Sequence, residues 1–308
     1  MKNLVMLDLG SNSTRMSINQ VDDKGNFTEV KRMKQMTRMA EGMGASGTKK
    51  LEDKAIERTL NALRDFQKEY QNMPNLTVRG IATAAVRSAE NSLEFLERVK
   101  ELTGGDIEVL SGSAEAYYDY VGVINSLNVR DCVICDMGGG SFELAVVVDK
   151  EAVSYVSIPY GAVSLAEKFN AHDKISAQDL FKFYRFVLYK FRQLPWLLQG
   201  TKLPLVLLGG ANRTVARKEL MRLGRKDLEN IHGVSMSAYS FIETYTEWLG
   251  MDCKERADIL GPEAERADII IAGLSPIMFL IEYLQTPEII FSESGVREGV
   301  LYSMLKRK

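Results

Sequence analysis

The chain has 308 residues, 45% of them hydrophobic and 26% charged, with a formal net charge of −2. That length builds two domains or one large one, and the composition is that of an ordinary globular protein. A near-neutral balance argues against a dedicated nucleic-acid binder, although it leaves a local basic cleft open.

In chain order, residues 4–9 and 14–21 read as strands, and Asp22-Asp23-Lys24-Gly25-Asn26 reads as the turn into a third strand at 27–36. A glycine-rich loop is expected at 41–47. Ile56, Leu60, Leu63, Phe66 and Tyr70 recur at steps of three and four, which predicts a helix. Strand 78–86, helix 92–102, strand 107–110 and helix 114–127 complete a first half. The pattern then restarts with strands at 132–136, 142–148 and 153–158, and Asp149-Lys150-Glu151 is the turn between the last two. Helices at 162–169 and 177–194, a strand at 203–208, a helical stretch, a strand at 288–291 and a closing helix near Arg297 follow. Three hairpin strands followed by alternating strands and helices, twice over, predict mixed sheets flanked by helices. The expected domains are 1–125 and 126–308, with the last helix packing back on the first domain as an open alternative.

The N-terminus runs straight into a strand interrupted by Asp8, so no secretory signal is read and a cytoplasmic location is expected. The longest apolar run, 269–284, contains Pro276 and Glu282 and falls short of the roughly 20 residues of a membrane span, so it predicts a core helix. Cys132 and Cys135 form a CxxC inside a strand, where odd spacing sends the two side chains to opposite faces. His172 and His232 lack metal-ligand spacing.

One phrase occurs twice. Asp8-Leu9-Gly10-Ser11-Asn12-Ser13 and Asp136-Met137-Gly138-Gly139-Gly140-Ser141 each follow an apolar strand and lead into another. A small-residue turn between strands exposes backbone N–H groups, which bind phosphate. Gly138–Gly140 gives a backbone free to adopt positive φ and to approach a ligand closely, although three glycines alone fit a structural hairpin equally well. Neither copy is a P-loop or a dinucleotide fingerprint. Two aspartates ending strands beside phosphate turns suit Mg²⁺, which takes one or two carboxylates plus phosphate oxygens. Arg15 stands in the first copy where Glu143 stands in the second. Arg15 would then hold phosphate, and Glu143 would bind metal or orient water, against the plainer reading of solvated strand surface. Arg87 is expected at the carboxyl end of a buried strand, where open sheets place ligand-binding groups. Glu115, in the first turn of a helix, is either a dipole-compensating residue or a general base. Lys31, Arg32, Lys34 and Arg38 read as a solvated edge, with an anion channel as the alternative. Tyr117, Tyr118 and Tyr120 read as helix packing rather than a base-stacking site.

Taken together, residues 7–15, 134–143, Thr83-Ala84-Ala85-Val86-Arg87, 111–116, Gly161-Ala162-Val163, Arg266-Ala267-Asp268 and 294–302 resemble the exopolyphosphatase / guanosine pentaphosphate phosphatase (Ppx/GppA) family. The resemblance implies an α/β fold of duplicated actin-like (actin–sugar kinase–Hsp70), ribonuclease H-like domains, in the short two-domain form. It implies Mg²⁺-dependent hydrolysis of a terminal phosphoanhydride in an interdomain cleft, on inorganic polyphosphate or guanosine pentaphosphate. It implies Glu115 and Glu143 as catalytic residues, with Glu115 activating water, and Asp8, Asp136 and Glu143 at the metal. Phosphate would be bound by Gly10, Ser11, Asn12, Ser13, Arg15, Arg87, Gly138, Gly139, Gly140 and Ser141. The expected partners are one of those substrates, no nucleic acid, no membrane, and a homodimer as an open possibility. A phosphotransferase of the same superfamily and a non-catalytic alarmone sensor are the competing readings. Phe142 departs from the family's Thr and removes a hydroxyl, and Gly209-Gly210-Ala211-Asn212 departs from its usual glycine run, which counts against a nucleoside there.

Overall fold

The computed structural model describes residues 1–43 and 49–306. The expected loop at 41–47 therefore lies partly outside the described residues. The elements run β1 (Lys2–Leu9), β2 (Ser13–Val21), β3 (Phe27–Met36), α1 (Asp53–Tyr70), β4 (Leu76–Ala82), α2 (Ala84–Ser88), α3 (Ser92–Thr103), β5 (Asp106–Val109) and α4 (Gly112–Ser126). They continue as β6 (Cys132–Met137), β7 (Phe142–Val148), β8 (Glu151–Ile158), α5 (Ala162–Lys168), α6 (Ala177–Arg192), β9 (Leu205–Gly209) and α7 (Gly210–Arg222). The chain ends with β10 (Ser235–Ser237), α8 (Ala238–Leu249), α9 (Cys253–Leu260), α10 (Ile270–Leu284), β11 (Glu288–Phe291) and α11 (Val296–Lys306).

These elements form two units, Met1–Glu115 with Val300–Lys308, and Ala116–Gly299. The division falls inside α4, whereas the boundary read from the sequence lies at that helix's other end. The first turn of α4 falls in the first unit, where Arg87 pairs with Glu115.

The sheets repeat one topology. The first is ordered β3-β2-β1-β4-β5, and the second β8-β7-β6-β9-β11 with β10 added at the edge. In each, a three-stranded antiparallel meander joins parallel strands, so both sheets are mixed. This is the duplicated actin-like architecture that the resemblance implies.

Strand periodicity decides which face is core. In the first unit Val5, Leu7 and Leu9 alternate onto one face, where α1 lays Ile56, Leu60, Leu63 and Phe66 against them. In the second unit Val133, Cys135 and Met137 face the large core, to which α6 contributes Phe183, Val187 and Phe191 at four-residue steps. Each such side chain contributes about 1.5–3 kcal/mol on burial. Cys132 and Ile134 face the other way, under Val123 of α4. The two thiols therefore lie on opposite faces of β6, as their spacing predicts. The apolar run 269–284 is α10, a buried core helix, and no single helix is long and apolar enough to cross a membrane among the described residues.

Strand 78–86 needs correction. β4 stops at Ala82, and residues 84–88 turn into the short helix α2. A short apolar run does not distinguish strand from helix, and Ala84-Ala85 favours helix. The three-residue edge strand β10 was too short and too polar to predict.

Burial pushes the Cys132 thiol up to about 12, helped by nearby Asp131. Burial likewise holds Cys135 well above the usual thiol range, with Asp136, Glu143 and Asp119 adding to it. A raised pKa keeps both as unreactive thiols at neutral and mildly alkaline pH. Mass spectrometry of native protein alkylated at pH 8 should find modification at Cys253 alone, which is partly exposed. Labelling of Cys132 or Cys135 without denaturant would contradict this. Gly122 of α4 permits close backbone approach, since a Cβ there would lie 3.1 Å from the Gly295 carbonyl carbon. Gly122→Val should cost about 1–3 kcal/mol by overpacking. A denaturation midpoint unchanged from wild type would show that this contact gives way freely.

Candidate phosphate and carboxylate sites

The two copies of the repeated phrase fold alike. The Gly10 amide donates to the Ser13 carbonyl at 3.2 Å, and the Gly138 amide donates to the Ser141 carbonyl at 3.0 Å. A Cβ would sit 2.8 Å from the Ser13 oxygen at Gly10 and 2.9 Å from the Ser141 oxygen at Gly138. Both positions thus need glycine for space. The expectation of positive φ at Gly138–Gly140 is overturned, because none of the three is among the left-handed glycines. The hairpin closes with ordinary φ, and what it lacks room for is a side chain.

The carbonyls of both turns are tied back into the fold. Ser11 accepts from the Ala40 amide, and Asn12 accepts from the amides of Thr37 and Arg38. Gly138 accepts from Ala162, and Gly139 accepts from Val163. Among the described residues, the amides of Ser11, Asn12, Gly139 and Gly140 have no acceptor. Fixed carbonyls and uncommitted N–H groups are the arrangement that binds anions. Ser11 does a second job, because its Oγ accepts the Ala85 amide at 3.1 Å and so anchors α2, which carries Arg87.

Strand register explains the difference between the copies. Asp8 pairs with Arg15 across β1 and β2, and Arg15 pairs with Lys34 of β3. At the equivalent place Asp136 pairs with Glu143 across β6 and β7, and Glu143 pairs with Ser157 of β8. Directly opposed residues share a face. One row therefore carries a carboxylate and two cations, and the other two carboxylates and a hydroxyl.

In the first unit Arg15 Nε is buried and has no acceptor among the described residues. An ionised donor left in this state is costly unless a ligand supplies the acceptor. The neighbouring cations of β3 differ, since Lys31 is held by Glu69 and Arg32 by Glu29, which supports the solvated-edge reading for them. Arg87 is not at a strand end as expected. It projects from α2, donates to the Leu110 carbonyl at 2.7 Å, and forms an ion pair with Glu115. Glu115 is only 4% exposed. Ser111 caps its helix by accepting the Ala114 amide. Glu115 thus has a specific partner beyond the helix dipole.

In the second unit Glu143 is 4% exposed, and its Oε1 accepts from Ser141 Oγ at 2.8 Å and from Ser157 Oγ at 2.7 Å. Ser157 was missed in the sequence because a lone serine on a strand gives no signal until register places it. Asp119 was also missed. It is buried on α4, beside Gly295 and close enough to Cys135 to raise that thiol. Phe142 points into the core, on the face away from Glu143, so its side chain lies away from the carboxylate row. Gly209, at φ +99°, lies against Asp136, and the Arg266 guanidinium stands over Gly210 where a side chain would be. The tyrosines Tyr117, Tyr118, Tyr120 and Tyr155 cluster with one another, in keeping with packing.

For a metal, the donor set is Asp136 and Glu143 facing one another, which suits Mg²⁺ completed by water and phosphate. Among the described residues no group of three or more His, Cys, Asp or Glu is placed to hold an ion. Asp8 has Arg15, not another carboxylate, as its cross-strand neighbour.

The chain is similar over its whole length to the Aquifex aeolicus member of the Ppx/GppA family, at 28% identity, with a TM-score of 0.80 and coverage of 100% of this chain and 99% of that one. It shares its fold with an exopolyphosphatase from Cytophaga hutchinsonii, at 23% identity and a TM-score of 0.91, over 99% of this chain and 98% of that one. The model of the Ppx/GppA phosphatase family matches residues 5–308, and the chain belongs to that family.

Proposed function

We propose that the chain is a Mg²⁺-dependent phosphoanhydride hydrolase that removes the terminal phosphate of inorganic polyphosphate or guanosine pentaphosphate. Family membership supports a phosphatase. The observation that carries the reading is Arg15, a buried guanidinium Nε without an acceptor on the strand that leaves a turn of uncommitted amides.

In this reading the amides of Ser11 and Asn12, with Arg15, hold phosphate oxygens in the first unit, and the amides of Gly139 and Gly140 hold phosphate oxygens in the second. Arg87 exchanges the Glu115 carboxylate for a phosphate oxygen, which leaves Glu115 to take a proton from water. The water oxygen bonds to the terminal phosphorus as the bond to the bridging oxygen breaks, and the shorter chain leaves with that oxygen. Asp136 and Glu143 would hold Mg²⁺, whose charge neutralises the phosphate oxygens. Ser141 and Ser157 fix one Glu143 oxygen, so that carboxylate is oriented before substrate arrives. Catalysis of this kind is positioning and charge neutralisation. No specific observation favours phosphotransfer to an acceptor.

The test is phosphate release with Mg²⁺ from short polyphosphate, long polyphosphate, guanosine pentaphosphate and ATP. Release from polyphosphate or guanosine pentaphosphate, abolished by chelation, is expected. Release from none of them would overturn the proposal in favour of a sensor. Glu115→Gln should keep substrate binding and lose about 10²–10⁴-fold in kcat, the usual contribution of a general base. Undiminished turnover in that variant would remove Glu115 from the role.

A further inference from the structure

Beside the second turn lies a cationic cluster that the proposed reaction does not use. Lys168 Nζ stands 5.9 Å from the Tyr160 ring centroid and 5.3 Å from that of Phe186. Lys190 Nζ stands 5.6 Å from each of the same two rings. The rings pack edge to face at 4.9 Å. Two ammonium groups are thus gathered on one aromatic pair.

Neither ammonium has a carboxylate or any hydrogen-bond acceptor among the described residues. Lys218 makes the contrast. It also lies over a ring, that of Trp248, yet it is paired with Glu247. Bringing like charges together without a counter-charge costs free energy that an anion would recover. A ring face attracts an ammonium without competing for its N–H donors as a carboxylate does.

The position is tied to the turn by backbone. Tyr160 precedes Gly161, where a Cβ would fall 2.5 Å from the Gly139 oxygen and the Gly140 nitrogen. The Ala162 and Val163 amides donate to Gly138 and Gly139 at 2.9 and 3.0 Å. The aromatic pair therefore flanks the turn within the same unit.

We propose that Lys168 and Lys190, held on Tyr160 and Phe186, form a subsite for the inner phosphates of a linear polyphosphate whose end is held at the Gly138–Ser141 turn. This rests on the polyphosphate reading above and deepens it, because it makes long chains the better ligand. Lysine suits such a site, since a mobile point charge follows a repeating chain without the fixed geometry of a guanidinium fork.

The test is binding of long polyphosphate, of tripolyphosphate and of guanosine pentaphosphate by titration calorimetry with chelator present, so that no turnover intervenes. The double variant Lys168→Ala/Lys190→Ala should lose about tenfold or more in affinity for the long chain relative to its loss for tripolyphosphate. Its salt dependence for the long chain should flatten by about two phosphate contacts, in analogy to other polyanions. Lys168→Arg/Lys190→Arg should restore most of the affinity, and an unchanged melting temperature would exclude misfolding. Equal loss for both ligands, or no loss, would overturn the subsite while leaving the hydrolase reading standing. Selective loss of guanosine pentaphosphate binding with long-chain binding intact would assign the rings to a nucleoside instead and overturn the subsite. Wild-type protein that binds neither polyphosphate under chelation would overturn the subsite, while the hydrolase reading stands or falls on phosphate release with Mg²⁺.

Discussion

The constraint on which the sites depend is the pairing register of two hairpins. In an antiparallel pair, opposed residues share a face, and a slip of one residue would send every side chain to the other face. Asp8 and Arg15 are seven positions apart, as are Asp136 and Glu143, because a tight turn closes between them in both cases. Register therefore converts a repeated phrase into two matching rows of charge. The apolar residues that fix it are those of the core faces, Leu7 against Met16 and Cys135 against Leu144. Packing on one face thus holds chemistry in place on the other.

The same backbone serves opposite charges because its own contribution is neutral. Each turn presents N–H groups, and the side chain two residues beyond the serine decides what the row is for. Arg15 adds positive charge to a turn already inclined to bind anions. Glu143 brings negative charge to the equivalent place, which is tenable beside phosphate only with a cation between them or when the carboxylate is held by donors. Ser141 and Ser157 supply two such donors. The duplication gives the frame, and the departure from it divides a largely cationic row from a carboxylate row.

Much of this was legible in the sequence. The strands at 27–36 and 142–148 agree with β3 and β7 to the residue, because glycine-containing turn residues stand immediately before both. The turn at Asp149-Lys150 takes positive φ at both residues, the geometry a two-residue hairpin demands. What was hidden depends on partners remote in sequence. Arg87 and Glu115 lie on separate elements, and nothing local announces that each is the other's partner. Ser157 acquires a role only through its register with Glu143, and Asp119 only through the placing of α4 over β6. Arg87 was displaced from a strand to a helix because Ala84-Ala85-Val86 carries no period long enough to decide. The glycines of the second turn were assigned to backbone freedom, when close packing of the Ser141 carbonyl at Gly138 is what excludes a side chain.

The division of labour between arginine and lysine follows the same physics. Arg15 and Arg87 sit where geometry is fixed, one on a hairpin strand and one on a short helix pinned by Ser11. In the proposed reading a guanidinium there would define the position and orientation of one phosphate. Arg87 binds a carbonyl and a carboxylate together. In the proposed reaction Arg87 gives up the carboxylate to bind substrate, and the carboxylate it releases is the group assigned to activate water. Substrate arrival and base release then become one event. Lys168 and Lys190 rest on rings that orient nothing, so they provide charge without a fixed register. The proposed reaction, which would shorten a chain one phosphate at a time, needs both kinds of contact. The end must be held in one geometry for attack, and the remainder must be held in many.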